Sequence, residues 1–115
     1  MNLSQEEVRF LRPAPDVGIL AASASAMINL DDLHNLFGQN FNTMNITNNA
    51  DEEISIKMDG IQNQYIKGSG GVFSFDWQDG ITFSTLEIKN ENAVTATSAN
   101  EIRISVGRTG LNRGI

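Results

Sequence analysis

Hydrophobic and polar residues alternate along most of the chain from residue 39 onward, which is the period of a β-strand with one buried face. Residues 54–58 alternate in this way, and Asp59-Gly60 directly after them is a strong turn signal. The alternation therefore predicts a strand at 54–58. It predicts further strands at 41–47, 62–67, 73–77, 81–89 and 102–106, with a weaker candidate at 93–97.

Two features interrupt the alternation. The phase of the apolar residues changes between Phe83 and Leu86, which predicts a β-bulge near Ser84-Thr85. The glycine-rich segment 68–71 predicts a flexible connection between strands. This segment is not a phosphate-binding P-loop, because no Lys-Ser or Lys-Thr pair follows it and the next element is a strand.

Six or seven short strands separated by turn signals indicate a mainly β protein, an antiparallel β-sandwich with a jelly-roll-like arrangement. No βαβ alternation is present, so a parallel sheet is not expected. We find no internal repeat. The residues predicted to form the core are Met44, Ile46, Ile54, Ile56, Met58, Phe73, Phe75, Trp77, Leu86, Ile88, Ile102, Ile104 and Val106.

The first 38 residues have a different pattern, typical of an N-terminal arm with one or two short helices. Ser4 and Glu7 have the spacing of a capping box, which predicts a short helix that ends before Pro13. A second short helix is predicted at 31–37, with Asn29 as its cap. Its apolar stripe faces a partner or the sheet, and His34 lies on the opposite side.

Residues 21–26 have only small side chains and have two interpretations. They form a flexible or loosely helical connector, or they lie across a neighbouring subunit and become ordered only there. The chain thus divides into an arm at 1–38, a β-sandwich domain at 39–107 and a C-terminal tail at 108–115.

Composition narrows the functional classes. The 115 residues fit one domain, and the net charge of −6 argues against a general affinity for nucleic acid or anionic membranes. The chain has no cysteine, so it has neither disulfides nor thiolate chemistry, and its only histidine, His34, excludes a multi-histidine metal site. The most apolar stretch, 18–30, is too short to span a bilayer.

Acidic residues offer two candidate sites for the paired carboxylates of glycoside hydrolysis, and neither is convincing. Asp76 and Asp79 are also oxygen ligands for a calcium ion, although the EF-hand pattern is missing. Residues 51–53 precede a strand, where solvated loop charges are expected, and Asp76 and Asp79 bracket a turn in which aspartate is favoured for its turn chemistry. No nucleophile elbow occurs. We therefore expect a protein that is not an enzyme and that uses no cofactor or metal. Tyr65 and Trp77 are the aromatic candidates for a sugar platform, but Trp77 shares the phase of the predicted core.

Residues 54–106 carry a series of strand-and-turn motifs: ISIKMDG at 54–60, FSFD at 73–76, DGITF at 79–83, LEIKN at 86–90 and ANEIRISV at 99–106. This series resembles small β-sandwich structural proteins of tailed bacteriophage virions, such as decoration, head or tail-accessory subunits. The resemblance implies a non-enzymatic virion protein, made and assembled in the host cytoplasm, that contacts copies of itself and other virion proteins. Neither nucleic acid nor membrane is an expected partner.

The alternative function is a β-sandwich module that binds a glycan or a host surface through loops at one end. For the assembly function, apolar residues of the arm and arginines of the tail are the candidate partner contacts. These are Phe10, Leu33, Leu36, Phe37, Arg108 and Arg113. The tail arginines are expected to meet acidic residues of the next subunit, unless the tail is simply solvated.

Overall fold

The computed structural model describes residues 7–13, 17–31, 33, 40–60 and 62–111. This part of the chain is mainly β, with one short 3₁₀ helix at Trp77–Asp79. Its strands are β1 (Glu7–Pro13), β2 (Ser25–Ile28), β3 (Thr43–Asn48), β4 (Ile54–Met58), β5 (Gln62–Ile66), β6 (Gly71–Phe75), β7 (Leu86–Asn90) and β8 (Ile102–Leu111).

The strands form two four-stranded antiparallel sheets. The strand order is β1-β8-β3-β6 in the first sheet and β2-β7-β4-β5 in the second. The first strand therefore pairs with the last, the second with the seventh, the third with the sixth and the fourth with the fifth. The predicted mainly β, antiparallel class is confirmed.

Both sheets contribute to one hydrophobic cluster. Met44 and Ile46 of β3 and Ile54 and Ile88 of the second sheet are fully buried, each with 0% of its surface exposed. Of the predicted core, Phe73 is only partly buried, and the side chain of Trp77 lies outside what the structure describes. Buried residues that the alternation missed are Val17, Leu20, Leu30, Phe41, Ala50, Ile66 and Phe83.

The predicted strand at 81–89 is wrong in its first half, because β7 begins only at Leu86. The carboxylate of Asp59, in the β4–β5 turn, accepts hydrogen bonds from the backbone N–H groups of Ser84 and Thr85, both at 2.8 Å, and from both hydroxyls. Partial burial raises the pKa of Asp59, but these four hydrogen bonds outweigh burial and hold that pKa below its usual value. The phase change therefore marks the start of a strand and not a bulge.

Two other strand predictions need correction. The run at 73–77 ends as a strand at Phe75, because Asp76 and Asp79 accept backbone hydrogen bonds that close the 3₁₀ turn. Residues 93–97 are not a strand; Asn92 Oδ1 accepts the backbone N–H groups of Val94 and Thr95, both at 2.8 Å, which bends the chain instead.

The predicted N-terminal helix is also wrong over the described residues, because 7–13 form β1. This strand pairs with β8 at seven positions, from Glu7 opposite Leu111 to Pro13 opposite Ser105. The capping-box spacing is a local signal, and the non-local pairing with β8 overrides it. β8 itself continues to Leu111, into the segment predicted as a tail. The division of the chain at 38 and 107 stays a prediction.

The small-residue segment is neither helical nor ordered only on a neighbouring subunit. The backbone of this segment and of the residues before it runs beside residues 92–100 of the same chain: Asn100 N donates to Val17 O, Thr97 N to Leu20 O and Ser23 N to Asn92 O, each at 2.9 Å. Val17 and Leu20 are buried in the core. Residues 25–28 then continue as β2, so the arm contributes strands to both sheets.

The predicted second helix is described only at its start. Asn29 Oδ1 accepts the backbone N–H of Asp31 at 3.0 Å, which is the contact expected of the predicted cap. Asp31 and Leu33 have helical backbone conformation. The remainder of that prediction, including His34, Leu36 and Phe37, lies outside the described residues.

The two sheets share an internal sequence repeat that the sequence analysis missed. Residues 41–48 read FNTMNITN and residues 83–90 read FSTLEIKN, with Phe, Thr, Ile and Asn at equivalent positions. These segments supply β3 and β7, each an inner strand of its sheet. Phe41 and Phe83, the equivalent first residues, exchange two backbone hydrogen bonds of 2.9 Å, and their ring centroids are 5.4 Å apart.

The last residues of these segments, Asn48 and Asn90, are equivalent in their hydrogen bonding. Both are fully buried, and each Oδ1 accepts the backbone N–H two residues further on. Asn48 Nδ2 donates to the carbonyl oxygens of residues 52, 66 and 67. Asn90 Nδ2 donates to those of residues 20, 21 and 95. Each asparagine thus joins the end of an inner strand to a neighbouring segment.

Candidate functional site

A polar groove lies on the face of the β2-β7-β4-β5 sheet that points away from the core. Its volume is about 390 Å³, which falls within the range of about 300–1,000 Å³ typical of ligand pockets. Its lining residues are Ser23, Ser25, Ser55, Lys57, Tyr65, Glu87, Lys89 and Glu91.

The strand period and the register bring these residues together. In β4, Ile54, Ile56 and Met58 are buried, so Ser55 and Lys57 occupy the opposite face. Antiparallel pairing places Ser55 opposite both Tyr65 and Lys89. Ser25 of β2 also pairs with Lys89. A row of four residues from four strands therefore crosses the groove.

Two cationic and two anionic side chains face the groove. Glu91 Oε2 accepts the Ser55 hydroxyl at 2.6 Å and lies 4.0 Å from Lys89 Nζ. Lys57 and Glu87 are register neighbours on β4 and β7. Within the described part of the chain, neither has a hydrogen bond or an ion pair through its side chain. The formal charges of the groove cancel, and it presents both donors and acceptors.

Tyr65 is the aromatic residue of the groove. It lies on β5, the end strand of its sheet, and 56% of its surface is exposed. An exposed tyrosine presents an apolar ring face together with a hydroxyl group. Of the two aromatic candidates from the sequence, Tyr65 lines the groove, and the side chain of Trp77 is not described.

A second cavity, of about 300 Å³, lies at the end of the β3–β6 pair and includes Asp76 and Asp79. Asp79 Oδ2 accepts Asp76 N at 2.9 Å, and Asp76 Oδ1 accepts Gln78 N at 3.0 Å. Both carboxylates therefore act in the turn chemistry that the sequence predicted. Among the described residues, no group of three or more His, Asp or Glu side chains is placed to hold a metal ion.

The predicted partner contacts are only partly described. Leu33 is partly buried and packs against the core. Arg108 lies on β8 and donates from a guanidinium nitrogen to the carbonyl oxygen of Asn40 at 2.8 Å. Phe10 is on β1, opposite Arg108 in register. Leu36, Phe37 and Arg113 lie outside the described residues, so their role stays a prediction.

The groove could not be predicted from the sequence, because its residues come from four strands and the loops next to them. The only signal in the sequence was the alternation of β4 and β7, whose polar positions include Lys57, Glu87 and Lys89. Their proximity follows from the register between strands, which the alternation does not specify.

Comparisons with models of protein families, with curated protein sequences and with solved structures found no significant match. In the described part of the chain, no helix has the length and apolar character needed to cross a membrane.

Proposed function

We propose that the eight strands form a jelly roll, that is, a β-sandwich of two four-stranded sheets. The order of pairing supports this arrangement, because strands of a jelly roll pair from the ends of the chain inward. β1 pairs with β8, β2 with β7, β3 with β6 and β4 with β5. The single hydrophobic cluster, to which both sheets contribute, is what a sandwich requires.

We propose further that the protein is a non-enzymatic structural subunit of a virion, of the tailed-bacteriophage decoration, connector or tail-accessory type. Jelly rolls are a common architecture of viral capsid subunits. The resemblance of residues 54–106 to small virion proteins supports the same function. Such a subunit acts through contacts with other copies of itself and with other virion proteins.

The observation that carries this proposal is the composition of β6. This strand is the end of its sheet and reads GVFSF, without a charged residue or a proline. End strands of monomeric proteins are usually protected by charge, proline or a bulge, because their open backbone groups pair with other chains. Val72, with 64% of its surface exposed, adds an apolar side chain on the outer face. β6 is therefore suited to pair with another copy of the chain.

Changing Val72 to Lys tests this contact, because a lysine on an end strand opposes pairing between chains. We expect the wild-type chain to form a defined oligomer in native mass spectrometry and light scattering, and V72K to dissociate. Val94 provides a matched control, since it is an exposed valine (87%) in a loop outside the strands. V94K should leave the oligomer intact.

A wild-type chain that stays monomeric at all accessible concentrations contradicts self-assembly through β6. Equal behaviour of V72K and V94K contradicts the assignment of the contact to this strand. Circular dichroism of both variants establishes that each remains folded.

A further inference from the structure

We propose that the groove on the β2-β7-β4-β5 sheet binds a neutral saccharide, which gives the subunit a ligand-binding function in addition to assembly. The site lies on the face of a sheet, not in the loops at one end of the sandwich, where the sequence predicts a glycan site as the alternative function. Its key residues are Ser55, Lys57, Tyr65, Glu87 and Glu91.

The charge of the groove selects against ions. Two lysines and two glutamates line it, so a phosphate or sulfate meets two carboxylates and a metal cation meets two ammonium groups. An apolar ligand is disfavoured as well, because it would desolvate these charges without pairing them. A neutral ligand with many hydroxyl groups satisfies both kinds of group, since a hydroxyl donates to a carboxylate and accepts from an ammonium group.

Tyr65 supplies the apolar contact that a sugar ring also needs. The C–H groups on one face of a sugar ring are apolar and pack against an aromatic ring. Tyr65 lies beside the hydroxyl and carboxylate groups of the groove, and more than half of its surface is exposed. One aromatic ring with a few convergent polar groups is a common composition of a small-molecule site.

Part of the polar lining is already held in place. The Ser55 side chain is buried beneath the groove, where it donates to Glu91 Oε2 at 2.6 Å. This bond orients the carboxylate and leaves Glu91 Oε1 without a described partner. Lys57 and Glu87 also have no described side-chain partner. A ligand hydroxyl therefore meets one oriented carboxylate, that of Glu91, and it can contact Lys57 and Glu87 without breaking an existing side-chain pair among the described residues.

The internal repeat indicates that the fold itself does not require charged residues at the groove positions of β7. At the positions of the first sheet that are equivalent to Glu87 and Lys89, the chain has Asn45 and Thr47. The buried residues of the two segments, in contrast, are the same or similar. The charges of Glu87 and Lys89 are therefore specific to the β2-β7-β4-β5 sheet.

The test uses the 115-residue chain and a panel of neutral hexasaccharides: maltohexaose, cellohexaose, laminarihexaose and chitohexaose. A heparin-derived hexasaccharide serves as the anionic comparison. We expect at least one neutral sugar to bind saturably in ¹H–¹⁵N NMR titrations, with shifts concentrated at the groove residues, and heparin to bind more weakly. Y65A should lose roughly tenfold or more in affinity, while Y65F, which keeps the ring, should stay within a few-fold.

V94A provides the matched control, since it truncates an exposed apolar residue that lies outside both the groove and the β6 contact. It should bind as the wild type does. The proposal is overturned if none of the neutral sugars binds, if heparin binds more tightly than they do, or if Y65A and V94A have equal affinities. K57A is a second probe of the polar lining, and an unchanged affinity there removes Lys57 from the site.

Discussion

Replacing Asn48 with Ala tests the buried hydrogen bonds that hold the fold together at the end of β3. Its Nδ2 donates to the carbonyl oxygens of Glu52 at 2.8 Å, Ile66 at 3.3 Å and Lys67 at 3.2 Å, and its Oδ1 accepts Ala50 N at 3.1 Å. An amide nitrogen has two hydrogens, so three acceptors share two donors. The substitution removes the equivalent of three hydrogen bonds.

The expected loss follows from this count. Each hydrogen bond contributes about 0.5–1.5 kcal/mol net, which gives a loss of about 1.5–4.5 kcal/mol in the free energy of unfolding. A domain of this size has about 5–15 kcal/mol in total. At about 4 °C per kcal/mol, the melting temperature should fall by about 6–18 °C. N48A is therefore expected to remain folded at room temperature, with a clearly lower free energy of unfolding.

Two further variants separate hydrogen bonding from other effects. Asn48→Asp keeps the acceptor but replaces the Nδ2 donors with a carboxylate oxygen that faces three carbonyl oxygens, so it should destabilise at least as much as N48A at neutral pH. Its deficit should shrink in acid, because a protonated carboxyl regains one donor. Asn45 lies on the same strand and is exposed, so N45A should change stability by less than about 0.5 kcal/mol.

Urea unfolding followed by circular dichroism measures these differences, provided that the dependence on denaturant is the same for all variants. If N48A loses no more stability than N45A, the reasoning about buried hydrogen bonds is wrong. If N48D is more stable than N48A at neutral pH, the donor role of Nδ2 is wrong.

Three other substitutions extend the test. Asn90→Ala, at the equivalent position of the repeat, should cost the same as N48A within about 1 kcal/mol in the same urea assay. Leu20→Ala should lower the free energy of unfolding by about 2–5 kcal/mol because Leu20 is buried, whereas Ile19→Ala, on an exposed neighbour, should lower it little. Equal effects of the two substitutions would contradict the packing of Leu20 in the core. Asp59→Asn should reduce stability at neutral pH but not in acid, because the lowered pKa of Asp59 adds stability that is lost as the pH falls through it; an unchanged pH profile would contradict this role.

The parts of the fold that follow from local alternation could be predicted from the sequence. The strand at 54–58 was predicted with its observed bounds, because Ile54, Ile56 and Met58 all face the core. The strand at 7–13 was predicted as a helix, because its capping-box spacing is local and its partner β8 lies at the other end of the chain. Alternation also predicts a strand around Phe83, but its neighbours Ser84 and Thr85 bind Asp59 instead. This contact joins distant parts of the chain, so local alternation does not reveal it.

The internal repeat was missed for a related reason. The loop between β3 and β4 spans residues 49–53, whereas the equivalent loop between β7 and β8 spans 91–101. A single offset therefore aligns β3 with β7 but not β4 with β8. The residues that match are mostly inward ones, and the outward ones differ, so the similarity becomes visible only when the strands are aligned by their pairing.

The buried residues that form the framework of the fold and the residues of the candidate site thus occupy different positions on the same strands. On β7, Leu86, Ile88 and Asn90 are buried and match the repeat, whereas Glu87 and Lys89 line the groove and do not. Because neighbouring residues of a strand point to opposite faces, changes on one face leave the packing of the other largely intact. N90A should therefore lower stability with little effect on saccharide affinity in the folded protein, and Y65A should lower affinity with little effect on stability. If one substitution changed both quantities strongly, the separation of framework from binding face would be wrong.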